Sequence, residues 1–241
     1  MKKIPVPIAG AVLFLISILS LVSIIAGNSD DIKFSSFFKS HKQVALEEDI
    51  ASPYPKVLAT PQKVKGIYLT GYTFSNKKRR TDLINLVKKT ELNSVVIDLK
   101  DPAGKLMFLP ISEKIKDWPL SAVALSRNDY QAILAELQDE NIYTIARITT
   151  FQDPTAVKIF PTMALKNKSN NIWSDYKGVT WLDMTNKQVW QLITEQAKEA
   201  ALIGYDEVQF DYIRFPSDGN IKQIKYYNFP ADQKRHEAIT E

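Results

Sequence analysis

Cysteine is missing from all 241 residues. Disulfides, zinc–thiolate centres, iron–sulfur clusters and cysteine nucleophiles are thereby excluded. Histidine is almost as scarce: His41 and His236 are the only two. A metal site built on several histidines cannot be assembled from them, and neither stands at the end of a credible strand where a Ser-His-Asp triad would need it. No G-x-G-x-x-G or G-x-x-x-x-G-K-[ST] follows a strand-like run, which removes the usual nucleotide fingerprints. The charge excess is slight, 31 Lys and Arg against 27 Asp and Glu. The lysines are scattered rather than blocked with aromatics, so no nucleic-acid partner is expected. The densest basic run, "NKKRR" at 76–80, reads as the solvated start of a helix. No cofactor or metal is called for by any of these features.

What is present is 45% hydrophobic and 24% charged, the balance of a folded globular chain. Residues 1–27 open with Lys2 and Lys3 and continue through an uncharged run from Ile8 to Ala26. At ~1.5 Å per residue that run matches a bilayer's hydrocarbon thickness. It predicts a retained single-pass anchor, with a cleaved secretory signal as the alternative. The two lysines stay cytoplasmic, which sends the remainder outside the cell membrane. Residues 28–62, rich in Ser, Asp and Pro and without a sustained period, read as a flexible linker.

From residue 63 to 241 strand-like and helix-like patterns alternate. "VKGIYLTGY" (64–72), "NSVVIDLKD" (93–101), "IYTIARIT" (142–149) and "DEVQFDYIRF" (206–215) are short, apolar and β-branched or aromatic. Between them, residues 77–92, 127–141 and 185–205 place apolar side chains at helical spacing, the last ending on Gly204. Strand–helix repetition of this kind implies a parallel α/β sheet. A doubly wound sheet and a (β/α) barrel both satisfy it. With four strands in 179 residues, the expectation is the N-terminal half of a (β/α)8 TIM-type barrel, about four β/α units, cut short before the remainder. Such a half leaves two sheet edges and an apolar face uncovered.

The charged groups gather at the carboxyl ends of these strands, where parallel α/β folds bind their ligands. Asp211 sits between Phe210 and Tyr212, with Arg214 placed to hold it ionised or to form a rim ion pair with it. Asp98 lies in an apolar run and needs compensation, which Lys100 supplies if the strand is regular. Asp101 precedes "PAG" and either meets a ligand or shapes the turn. Arg147 emerges from an apolar strand and calls for a carboxylate, Asp98 or Asp211. Asp183 in "WLDMTN" stands where it binds sugar hydroxyls or closes the loop before a helix. Tyr72, Phe74, Trp173, Trp181 and Tyr212 are candidate stacking rings or core residues.

"VKGIYLTGY", "LNSVVIDLKDPAGKL", "IYTIARITTFQDP", "WLDMTNKQVW" and "GYDEVQFDYIRFPSDG", in that order, resemble a bacterial family of glycoside hydrolases likened to (β/α)8-barrel glycosidases. The resemblance implies a barrel, an extracytoplasmic polysaccharide substrate and two-carboxylate chemistry. In resembling glycosidases the position of Asp211 often holds a nucleophile or acid/base, which makes it the catalytic candidate; Asp98, Lys100, Asp101, Arg147, Asp183, Tyr212 and Arg214, read from their places at strand ends, are the candidates for substrate binding. Where a partner carboxylate is missing, a non-catalytic carbohydrate-binding or surface-interaction domain is the alternative.

Overall fold

The computed structural model describes residues 55, 57–227, 229, 234 and 237. The expected membrane segment lies outside them, as does the linker as far as residue 54. Among the described residues no helix is long and apolar enough to cross a membrane.

Four parallel strands form the central sheet: β1 (Gly66–Leu69), β2 (Ser94–Asp98), β5 (Tyr143–Thr149) and β7 (Glu207–Asp211), side by side in that order. The helices between them are α2 (Lys77–Lys89), α3 (Arg127–Asp139) and α5 (Lys187–Ile203). All four strands and all three long helices fall inside the segments that the periodicity predicts. The fold is mixed α/β, and the described residues do not close a barrel.

Each helix starts for a local reason. The Asn76 side chain accepts from the Arg79 N–H at the start of α2, Ser126 from Asp129 at α3, and Asn186 from Gln188 at α5. Gly204 ends α5 at φ 109°, a left-handed conformation that a Cβ would strain. The stretch 64–72 is not one strand. After Leu69 the chain turns into a five-residue helix, α1 (Gly71–Ser75), capped by the Thr70 hydroxyl accepting from the Thr73 N–H. Tyr72 therefore lies on a helical turn and is half-exposed.

Strand pleating sorts the sheet into two faces. Leu69, Val95, Ile97, Ala146 and Ile148 are all fully buried, in one cluster with Val87, Tyr130, Leu134, Val189 and Ile193 from the helices. The alternate positions carry Tyr68, Asp98, Arg147 and Asp211 on the other face.

The connections are lopsided. From helix to next strand, residues 90–93, 140–142 and 204–206 suffice. From strand to next helix, two long excursions leave the carboxyl end. Residues 99–126 carry β3 (Leu106–Phe108) and β4 (Leu120–Leu125), which pair with each other. Residues 150–186 carry the short helix α4 (Pro154–Ile159) and β6 (Lys166–Asn167), and β6 pairs with β8 (Ile224–Lys225) beyond β7. At the opposite end, Leu58 donates its N–H to Asp206, and the Thr60 and Tyr143 hydroxyls share a hydrogen bond of 3.0 Å. Residues of the expected linker thus touch the folded unit.

The first excursion is tied down on α5. Glu199, fully buried, accepts from the backbone of Ile111 and Ser112 and pairs with Arg127 at 2.7 Å. One turn earlier, Glu195 accepts from Lys198, Lys114 and the Ser112 hydroxyl. Those three donors hold its carboxyl down at about 2. A carboxyl lower in the folded than in the unfolded chain stabilises above the unfolded value, ~4.3, and that stabilisation is lost as pH falls toward the folded one. Glu195→Gln is accordingly expected to flatten the loss of urea resistance between about pH 5 and about pH 2. A variant as acid-sensitive as the parent would show that Glu195 is not the group whose titration weakens the fold.

Candidate functional site

Arg147 stands at the centre of the charged face because β5 lies between β2 and β7. The register sets it beside Asp98 on one side, and Thr149, two residues on, beside Asp211 on the other. Its Nη1 donates to Asp98 at 2.6 Å; its Nε donates to Asp211 at 2.8 Å and its Nη2 lies 2.6 Å from the same oxygen. The two carboxylates that the sequence offers as alternatives for Arg147 are thus both bound, one on each side of a single guanidinium. The Tyr68 hydroxyl completes the row by donating to the second Asp98 oxygen at 2.5 Å. Burial and that bond push the Tyr68 hydroxyl up to about 12, so it remains a proton donor. The guanidinium also lies 5.4 Å from the Tyr68 ring centre and 6.0 Å from that of Tyr212.

Asp98 and Asp211 differ in access. The Asp98 side chain is 8% exposed with both oxygens engaged, while that of Asp211 is 43% exposed. Partial burial pushes the Asp211 carboxyl up. The Tyr212 N–H, the Arg147 bonds and charge, and the charge of Arg214 outweigh it and hold the group below the usual carboxylate range. The Tyr212 N–H donates to the other Asp211 oxygen at 2.7 Å, and Tyr212 itself adopts φ 57°, a left-handed conformation uncommon for a bulky residue. A cleft of about 440 Å³ opens here, lined by Phe210, Asp211, Tyr212, Ile213 and Arg214. Asp211 is the one carboxylate in that lining.

Arg214 does not form the ion pair with Asp211 that the sequence suggests. It donates to the Ser217 hydroxyl at 3.0 Å and lies over two rings, Tyr212 at 5.3 Å and Trp181 at 5.8 Å. Its influence on Asp211 is through space.

The remaining expected site residues sit elsewhere. β2 ends at Asp98, so Lys100 does not share its face. Lys100 turns inward to Asp153 at 2.7 Å and Gln196 at 3.0 Å, with both ends of the ion pair 1% exposed. Asp101 accepts the N–H groups of Ala103 and Lys105, which is the turn-shaping role. Asp183 is 2% exposed and accepts from Thr185 and from the Tyr227 N–H, closing two loops on each other. Phe74, Trp173 and Trp181 belong to the core, where no sugar reaches their faces. Among the described residues no three His, Asp or Glu side chains converge on a metal-sized site.

Two members of this arrangement have no place among the candidates drawn from the sequence. Tyr68 hides inside "GIYL" as one more apolar strand residue, and its partnership with Asp98 depends on strand register. Asp153 had a signal: Asp before Pro154 is a helix N-cap pattern, and its side chain does accept from the Ala156 N–H.

Residues 66–241 match the model of a family described as "Putative glycosyl hydrolase domain" (DUF4015). No curated protein matches the chain. Among solved structures, a hypothetical protein of Ruminiclostridium thermocellum is 32% identical, with a TM-score of 0.64 over 72% of this chain and 86% of that one. An α-galactosidase of Thermus thermophilus is 14% identical with a TM-score of 0.47 over 66% of this chain. A cycloalternan-degrading enzyme of Trueperella pyogenes is 12% identical with a TM-score of 0.48 over 72%. This chain spans 32% and 28% of the length of those two enzymes. The family model covers well over half of the sequence, and the chain belongs to this glycosyl hydrolase domain family.

Proposed function

We propose that the protein hydrolyses glycosidic bonds in an extracytoplasmic polysaccharide, from a domain tethered to the outer face of the cell membrane by residues 8–26. The observation that carries the chemistry is the contrast between two carboxylates on one arginine. Asp98 is enclosed and fully engaged; Asp211 is open to the cleft and held ionised. An ionised carboxylate suits a nucleophile, or a base that activates water, and does not suit the general acid. Asp211 takes that role. Arg147 and the Tyr212 N–H fix its orientation, and Arg214 with the Tyr212 ring lines the way in. Tyr68 and Asp98 hold Arg147 from behind.

The test is release of reducing ends from a panel of envelope and capsular glycans by the full chain and by Asp211→Asn. The expected result is turnover by the parent, reduced at least about a hundredfold in the variant, with glycan affinity within a few-fold. The single carboxylate in the cleft lining favours one alternative, a glycan-binding domain without turnover. Binding with no released ends from either protein would select that alternative.

A further inference from the structure

Beside the Asp211 cleft, β6 and β8 run antiparallel with Lys166 directly opposite Lys225. Like charges at facing positions of an antiparallel pair repel and weaken it. Lys168, in the turn that follows β6, adds a third cation next in the sequence and joins the ribbon through its N–H to the Gln223 carbonyl. Residues 161–174 and 219–227 contain no Asp or Glu. Among the described residues no carboxylate lies within ion-pair distance of Lys166, Lys168 or Lys225; Lys225 reaches only the Asn170 amide oxygen. Among the described residues the facing lysines thus have no carboxylate partner, and an external anion can supply the counter-charge.

The ribbon is fastened to the cleft by short links. The Leu165 N–H donates to the carbonyl of Trp181, the residue whose ring lies under Arg214. Tyr226 packs on Phe215, the neighbour of Arg214, with ring centres 5.2 Å apart. These contacts join the segment that carries Arg214 to the ribbon that carries the lysines. Tyr227, two residues past Lys225, is 76% exposed and offers a flat ring to solvent. Cations at intervals with an exposed ring match a sugar polymer carrying repeated acidic groups. A neutral glycan would leave the facing lysines uncompensated.

We infer that Arg214, Lys166, Lys168 and Lys225 form an extended subsite for an anionic polysaccharide, with uronate carboxylates or backbone phosphodiesters as the recognised groups. The inference rests on the glycoside reading of the Asp211 cleft.

Binding of the full chain to polygalacturonate, to a poly(glycerol phosphate) polymer and to a neutral glucan tests it, with Lys166→Gln/Lys225→Gln and Asp211→Asn as variants. Tighter binding to either polyanion than to the glucan is expected, and the better of the two identifies the acidic group. The lysine double variant should weaken that binding by roughly tenfold or more at ~0.1 M salt, with an unchanged melting curve. Asp211→Asn should retain it. Glucan bound or cleaved as well as the polyanions, with the lysine variant indistinguishable from the parent, overturns the inference and leaves the hydrolase reading standing. Polyanion binding with cleavage untouched by Asp211→Asn does the reverse. Stronger binding to a single-stranded RNA oligomer than to either polysaccharide also overturns it.

Discussion

Arg147→Met is expected to lower the unfolding free energy by about 3–5 kcal/mol, because removing one partner strands a buried charge. Asp98 is the stranded group. Its side chain is 8% exposed and would keep only the Tyr68 hydroxyl as a donor. Asp211, at 43% exposure, can turn to water and contributes less to the loss. The cause is separable by a second change. Asp98→Asn in the Arg147→Met background removes the uncompensated charge and is expected to restore more than half of the lost stability, read as the urea midpoint. If the double variant is no more stable than Arg147→Met alone, lost packing of the guanidinium against Tyr68 and Tyr212 accounts for most of the deficit. Arg147→Lys is a poor rescue, since one ammonium cannot span two carboxylates with a planar fork.

The second large effect lies outside the cleft. Lys100→Met is expected to cost a similar ~3–5 kcal/mol, because Asp153 on the far side of that ion pair is 1% exposed. Burial pushes the Asp153 carboxyl up despite Lys100. Without the lysine the push is unopposed. A carboxyl whose folded value exceeds its unfolded one costs stability as pH rises past the unfolded value, ~3.9. The variant should therefore lose more at neutral pH than near about pH 4, and a pH-independent loss would contradict this. Adding Asp153→Asn removes the charge and keeps an oxygen to cap the Ala156 N–H. Recovery of more than half the deficit is expected in thermal melts.

Much of this organisation is legible in the sequence, and the reasons are physical. Strands β2 and β5 announce themselves because buried parallel strands must be almost continuously apolar, while the outer strands β1 and β7 are marked by short β-branched and aromatic runs. Charges inside such runs are conspicuous, which is why Asp98, Arg147 and Asp211 are found by reading alone. Their pairing is not legible, since it depends on how many residues each strand is shifted against the next. Arg147 accordingly resolves onto two carboxylates where the sequence poses a choice between them. Lys100 is misread for a related reason. The alternation rule places it on the Asp98 face, but the strand ends at Asp98 itself and an isolated bridge from Lys100 to Leu106 redirects the chain. Trp181 and Trp173 show the ambiguity of large rings, whose residue type is the same whether they meet a sugar or close a core.

The uneven lengths of the connections bear on how such a protein diversifies. Turns of three or four residues at one end pin the ladder. The two long excursions at the other end are anchored by Glu199 and Asp183, away from the sheet's own hydrogen bonds. Insertions, deletions or grafts between those anchors can alter which polymer is gripped without retuning the scaffold, so divergence among relatives should concentrate within residues 99–126 and 150–186.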